Sequence, residues 1–108
     1  MINDLEVELL VVEACPNERP AAELLRTCLD QVDLWETGFQ TRIIHDLQEA
    51  EEHAFIGSPT ILLSGRDPFG DPAATPAVAC RVYRTDGGPS GLPDPAALRD
   101  ALRQTRGV

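Results

Sequence analysis

Cys15 is followed by Pro16, Asn17 and Glu18 and then by a helical pattern. A thiol just ahead of a helix invites nucleophilic sulfur chemistry. Backbone N–H groups at a helix start favour the thiolate over the thiol. Glu18 opposes this, because a carboxylate in the first turn disfavours a second negative charge nearby. Glu13 adds to the opposition and Arg19 offsets part of it. The signs conflict, so two readings stay open: a reactive thiol, or a small apolar residue closing a strand-to-helix turn.

The other thiols are placed differently. Cys28 shares an apolar stripe with Leu25, Leu29 and Val32 and is expected to pack in the core. It lies about 15 Å along a helix starting near residue 17, at ~1.5 Å per residue, too far for a disulfide with Cys15. Cys80 shares parity with Val78 and Val82, so a core position is expected for it too. The three cysteines show no zinc-ligand spacing, and their odd number excludes full internal pairing. His45 and Asp46 fall at a strand end, where capping and packing compete with a proton-donor role. His53 sits in an acidic helix and is expected to be solvated.

The elements that must position Cys15 follow from periodicity. Residues 5–12 alternate and then become wholly apolar, as in a strand buried on both faces in its second half. Residues 20–34 carry apolar side chains at helical spacing, with Pro20 in the first turn. Phe39 to His45 reads as a second strand. Asp46 caps a short helix that ends at Gly57. Ser58-Pro59 precedes a third strand, 60–64. Residues 65–76 form a Gly/Pro-rich connection. Residues 78–84 read as a fourth strand, followed by a loop. Asp94 caps a last helix with Pro95 in its first turn. The expected order is β-α-β-α-β-β-α in a single domain spanning residues 1–108.

That order, with Cys15 after the first strand and Ser58-Pro59-Thr60 before the third, resembles the thioredoxin fold. The resemblance covers nearly the whole chain. It implies an α/β architecture, a four-stranded mixed sheet with helices on both faces. It also implies a cis-proline at Pro59, facing Cys15 from the start of an antiparallel third strand. The chain is also similar to small bacterial proteins described as thioredoxin-like, sometimes as alkylmercury lyase. The blocks carrying that likeness are Cys15-Pro16-Asn17, Gly57 to Leu62, Asp67-Pro68-Phe69 and Cys80 to Tyr83.

The resemblance implies Cys15 as the catalytic residue, with Pro16, Ser58, Pro59 and Thr60 around the substrate. A cis bond would expose backbone near Ser58 for an extended peptide or for glutathione. Gly87 and Gly88 fall where glutaredoxin-like members approach glutathione, although a plain turn accounts for them. On this topology the fourth strand returns toward the active end. Cys80, early in it, belongs to the distal half, two strand spacings (~10 Å) from the first strand. The 65–76 loop, with Arg66, Asp67 and Phe69, is likewise expected at the distal end, Phe69 plugging the core or anchoring a partner. Glu18 stands where a Cys-x-x-Cys motif has its second cysteine, so a dithiol cycle cannot run within the motif.

The functional expectation is therefore a monothiol oxidoreductase working by thiol–disulfide or glutathione-linked exchange. No cofactor is required beyond glutathione as a co-substrate. The partner is a thiol- or disulfide-bearing protein or glutathione. The alternatives are a non-catalytic thioredoxin-like binding module and, behind it, alkylmercury lyase-like chemistry, which needs two thiolates and an acid.

The totals agree with this class. The 108 residues carry a formal net charge of -9 and 43% hydrophobic residues. A chain this long can bury a core without metals or disulfides. The acidity argues against nucleic acid and anionic membranes, whose phosphates select for clustered cations. The N-terminal segment lacks a basic region and carries acids within its apolar run, unlike a signal peptide. No apolar stretch approaches the ~18 residues of a membrane span. Cysteines without an export signal point to a reducing, cytoplasmic setting.

Overall fold

A computed structural model describes residues 5–106. The elements in chain order are β1 (Val7–Val12), α1 (Glu18–Gln31), β2 (Gln40–Ile44), α2 (Leu47–Glu52), β3 (Thr60–Leu63), β4 (Tyr83–Thr85), β5 (Gly88–Ser90) and α3 (Pro95–Arg106). β1 is the centre of a three-stranded mixed sheet in the order β2-β1-β3. It runs parallel to β2, with Leu10 opposite Arg42, and antiparallel to β3, with Leu10 opposite Thr60.

The alternation in β1 sorts its side chains onto two faces. Val7, Leu9 and Val11 pack with Ile61 and Leu63 against Ala21, Leu25, Cys28 and Leu29 of α1 and Leu98 and Leu102 of α3. Leu10 packs with Ile44, Leu62, Phe55 and Ala50 of α2 on the other face. Helices therefore cover both faces, and Leu9, Leu10 and Leu25 are fully buried. Each such side chain contributes about 1.5–3 kcal/mol by leaving water. The caps expected from the sequence are present. Asp46 accepts from Glu49 N–H, and Asp94 accepts from Ala97 N–H. Glu49 reaches back to the His45 N–H and ring, which assigns His45 to the entry of α2.

The fourth strand differs from expectation. Among the described residues the sheet has three strands, and β4 pairs with β5 as a separate antiparallel hairpin. The connection after β3, held by Asp67 and Phe69, carries the chain back along the molecule. Ala77 then donates to Phe55 O, and Cys80 meets Ser58 as a single parallel bridge. Residues 77–81 thus run parallel to 57–59 rather than returning antiparallel to β3. The segment read as the loop 85–93 contains the hairpin turn and β5.

The parity of 78–84 is also inverted. Val78, Cys80 and Val82 are exposed, while Arg81 and Tyr83 are buried. A charged residue occupies a buried position here because its partners come with it. Arg81 bonds Asp67 at 2.7 Å, Thr60 Oγ1 at 3.0 Å and Phe69 O at 2.7 Å, and lies over the Tyr83 ring. Tyr83 donates to Pro59 O and meets Phe69 edge-on. Phe69 itself packs against the α1/α3 core.

Candidate functional site

Ser58 is where three chain segments meet. Its hydroxyl donates to Cys15 Sγ at 3.0 Å and accepts from Val12 N–H at 3.0 Å. The Val12 amide thereby fixes the hydroxyl oxygen, and the one hydroxyl hydrogen is donated to sulfur. Cys15 reaches this position because the chain folds back after β1. Cys15 N–H donates to Val12 O at 3.3 Å, with Ala14 at a left-handed φ of 57°. Cys15 is 8% exposed and Ser58 is 1% exposed.

Helix α1 begins at Glu18, with Asn17 as its N-cap. Cys15 therefore lies ahead of the cap, its carbonyl accepting from Glu18 N–H at 3.2 Å. Among the described residues, the hydrogen-bond donor on Cys15 Sγ is the Ser58 hydroxyl rather than a helix N–H. Sequence reasoning placed the helix terminus first. The Ser58 contact was foreshadowed only by the position of Ser58-Pro59 before β3.

Pro16 is exposed beside Cys15. Pro59 is fully buried, and the Ser58–Pro59 peptide is cis. Thr60 is also fully buried. Its hydroxyl donates to Gly57 O at 2.6 Å and accepts from Arg81 at 3.0 Å, so it shapes the turn from within. The backbone of Ser58, expected to be open to a peptide, is already paired. Ser58 N–H donates to Ala79 O at 2.8 Å, and Ser58 O accepts from Arg81 N–H at 2.9 Å. Free strand edges pair with whatever extended chain lies closest, and here that chain is 78–81.

Two further residues border the motif. A side chain at Gly91 would fall 2.4 Å from Asn17 Nδ2, so the segment after β5 lies directly against the Cys15-Pro16-Asn17 turn. Gly87 instead lies with Asp86 in the β4–β5 turn, and Gly88 opens β5 opposite Thr85. Gly57 has φ +153°, and a Cβ there would lie 2.7 Å from Arg81 Cβ and 3.1 Å from its Cα. The close crossing of 57 and 81 requires glycine.

Cys80 also lies elsewhere than its parity implies. Its bridge to Ser58 puts it at the same end as Cys15, not in the distal half, and it is exposed rather than in the core. Cys28 is fully buried as expected. Burial pushes its thiol above the ordinary value, with Arg99 opposing. Among the described residues, no group of three or more His, Cys, Asp or Glu side chains is arranged to hold a metal ion, and no helix is long and apolar enough to cross a membrane. Compared with known proteins, the chain matches no family model, no curated protein and no solved structure.

Proposed function

We propose that this chain is a thioredoxin-like protein with a monothiol Cys15-Pro16-Asn17-Glu18 site, acting in thiol–disulfide or glutathione-linked exchange. The observation that carries the reading is the Ser58 hydroxyl, locked by Val12 N–H and aimed at Cys15 Sγ. A hydroxyl donor on sulfur supports charge there, which is what a nucleophilic thiol needs. Cys15 attacks one sulfur of a disulfide, a mixed disulfide forms, and the displaced thiolate takes up a proton. A second thiol, glutathione in this reading, then attacks the mixed disulfide and releases Cys15. Pro16 offers an exposed flank for the substrate.

The test is glutathione-dependent reduction of a small mixed disulfide by the full chain. Activity is expected to vanish in Cys15→Ser and to persist in Cys28→Ala. Equal activity in Cys15→Ser sinks the proposal. One observation favours the non-catalytic alternative: Cys15 packs with the α1/α3 core and is 8% exposed. In that case Cys15→Ser leaves partner binding intact and no mixed disulfide is trapped at any substrate concentration.

A further inference from the structure

Val12, Ser58 and Cys80 are linked in a row. Val12 N–H donates to Ser58 Oγ, and Ser58 bridges Cys80 through Ala79 O and Arg81 N–H. Cys15 is folded back over this row with its sulfur on Ser58 Oγ. Cys15, through its sulfur, and Cys80, through its backbone bridge, are therefore both neighbours of Ser58, although they lie 65 positions apart in sequence. At ~4.8 Å per strand spacing, Cys80 stands one spacing beyond Ser58 and two, about 10 Å, beyond Val12, while a disulfide joins Cα atoms separated by ~4.4–6.8 Å. Closing a Cys15–Cys80 bond requires residues 78–80 to shift across Ser58. Residues 78–80 are exposed and span the interval between two anchors, the Ala77 bond to Phe55 O and the buried Arg81, and their own pairing is the Ala79 O bond from Ser58 N–H. This stretch also occupies the backbone of Ser58 as an extended substrate would, with a cysteine at the paired position.

We propose that Cys80 is the resolving thiol of the Cys15 site. This rests on the reading that Cys15 forms a mixed disulfide. The oxidant is a disulfide, R–S–S–R′, of peptide or low-molecular-weight origin. The Cys15 thiolate attacks it, forming Cys15–S–S–R and releasing R′–S⁻. The Cys80 thiolate then attacks Cys15 Sγ, forming the Cys15–Cys80 disulfide and releasing R–S⁻. The two cysteine protons balance the two released thiolates. An external dithiol or two monothiols return the pair to the reduced state. Resolution thus moves from the Cys-x-x-Cys position, where Glu18 stands, to the segment paired with Ser58.

The experiment exposes the full chain to oxidised glutathione and follows it by intact mass and peptide mapping. Wild type, Cys80→Ser and Cys15→Ser are compared. Wild type is expected to lose two hydrogens and yield a Cys15–Cys80 linked peptide, with the glutathionyl adduct only transient. Cys80→Ser is expected to hold the adduct on Cys15 about tenfold longer or more, because a tethered thiol acts at an effective concentration of mM order. Two results overturn the inference while leaving the monothiol reading intact. One is an adduct on Cys15 equally long-lived in wild type and Cys80→Ser. The other is a Cys15 adduct whose loss in wild type gives no Cys15–Cys80 peptide. Absence of any adduct or linkage at Cys15 in all variants removes the monothiol reading, and the inference with it.

Discussion

Replacing Ser58 with alanine tests whether the serine hydroxyl supports the sulfur of Cys15. The change removes the donor 3.0 Å from Sγ and the acceptor used by Val12 N–H. A hydrogen bond to a charged group is worth about 1.5–3 kcal/mol, and every 1.4 kcal/mol is tenfold. Alkylation of Cys15 at neutral pH is therefore expected to slow by about tenfold or more. Ser58→Thr keeps a hydroxyl and should retain most of the rate.

The chain carries its own controls, read by peptide mapping after timed alkylation. Cys80 is exposed and reports reagent activity, so its rate should not change. Cys28 is fully buried and reports unfolding, so it should stay unlabelled. The substitution also costs about 1–3 kcal/mol of stability, which a domain of 5–15 kcal/mol survives. Removing an oxygen beside a thiol that is 8% exposed also widens access to it, which acts in the opposite direction. If Cys15 labels as fast as wild type or faster while Cys28 stays protected, access outweighs the hydrogen bond. The case for a supported nucleophile then falls.

Asp67→Ala leaves the buried Arg81 guanidinium without its carboxylate and is expected to lower unfolding stability by about 3–5 kcal/mol in a urea titration. Gly57→Ala places a methyl against the Arg81 backbone at a positive φ. It should cost at least ~1–3 kcal/mol and loosen the Ser58–Cys80 bridge, read as faster amide exchange at Arg81. Tyr83 is the single tyrosine, and burial raises its phenol well above the ordinary value of 10.0, with Arg81 only partly opposing. The unfolded chain therefore releases this proton first as pH rises through 10.0. The associated stability, intact below that pH, should decline above it by up to about 1.4 kcal/mol per pH unit. Phenolate absorbance should appear together with loss of helical circular dichroism. Phenolate formation at pH 10 in a fully folded chain contradicts that reasoning.

The central strand and the first helix were legible because periodicity there matches burial. The central strand switches from alternation to a full apolar run, and β1 is indeed covered on both faces. The stripe of Leu25, Cys28 and Leu29 is the buried face of α1. Legibility failed at 78–84. The valines there alternate in step with Cys80, as in a core strand, yet they face outward. Periodicity assigns a face only by hydrophobicity, and here the buried face belongs to Arg81 and Tyr83. A guanidinium can take such a position only when a carboxylate and carbonyls meet it. Those partners, Asp67 and Phe69, lie in the Gly/Pro-rich connection, where sequence carries no periodic signal. The same omission misplaced Cys80, because its location depends on where that connection returns.

The Arg81 cluster and the Cys15 site are one construction. Arg81 holds Asp67 and Phe69 through its side chain while its N–H holds Ser58 O. Thr60 joins the two by bonding both Arg81 and Gly57 O. The loop anchor and the serine facing Cys15 therefore share one residue, and a perturbation at Asp67 has a short path to the sulfur. Asp67→Ala should consequently change the labelling rate of Cys80 before that of Cys15. Cys80 follows the Ser58 backbone bonds that Arg81 and Ala79 make, whereas Cys15 is held by a Ser58 side chain that Val12 fixes independently. Equal changes at both thiols, with Cys28 still protected, would mean that the Val12 contact does not isolate the nucleophile from the loop.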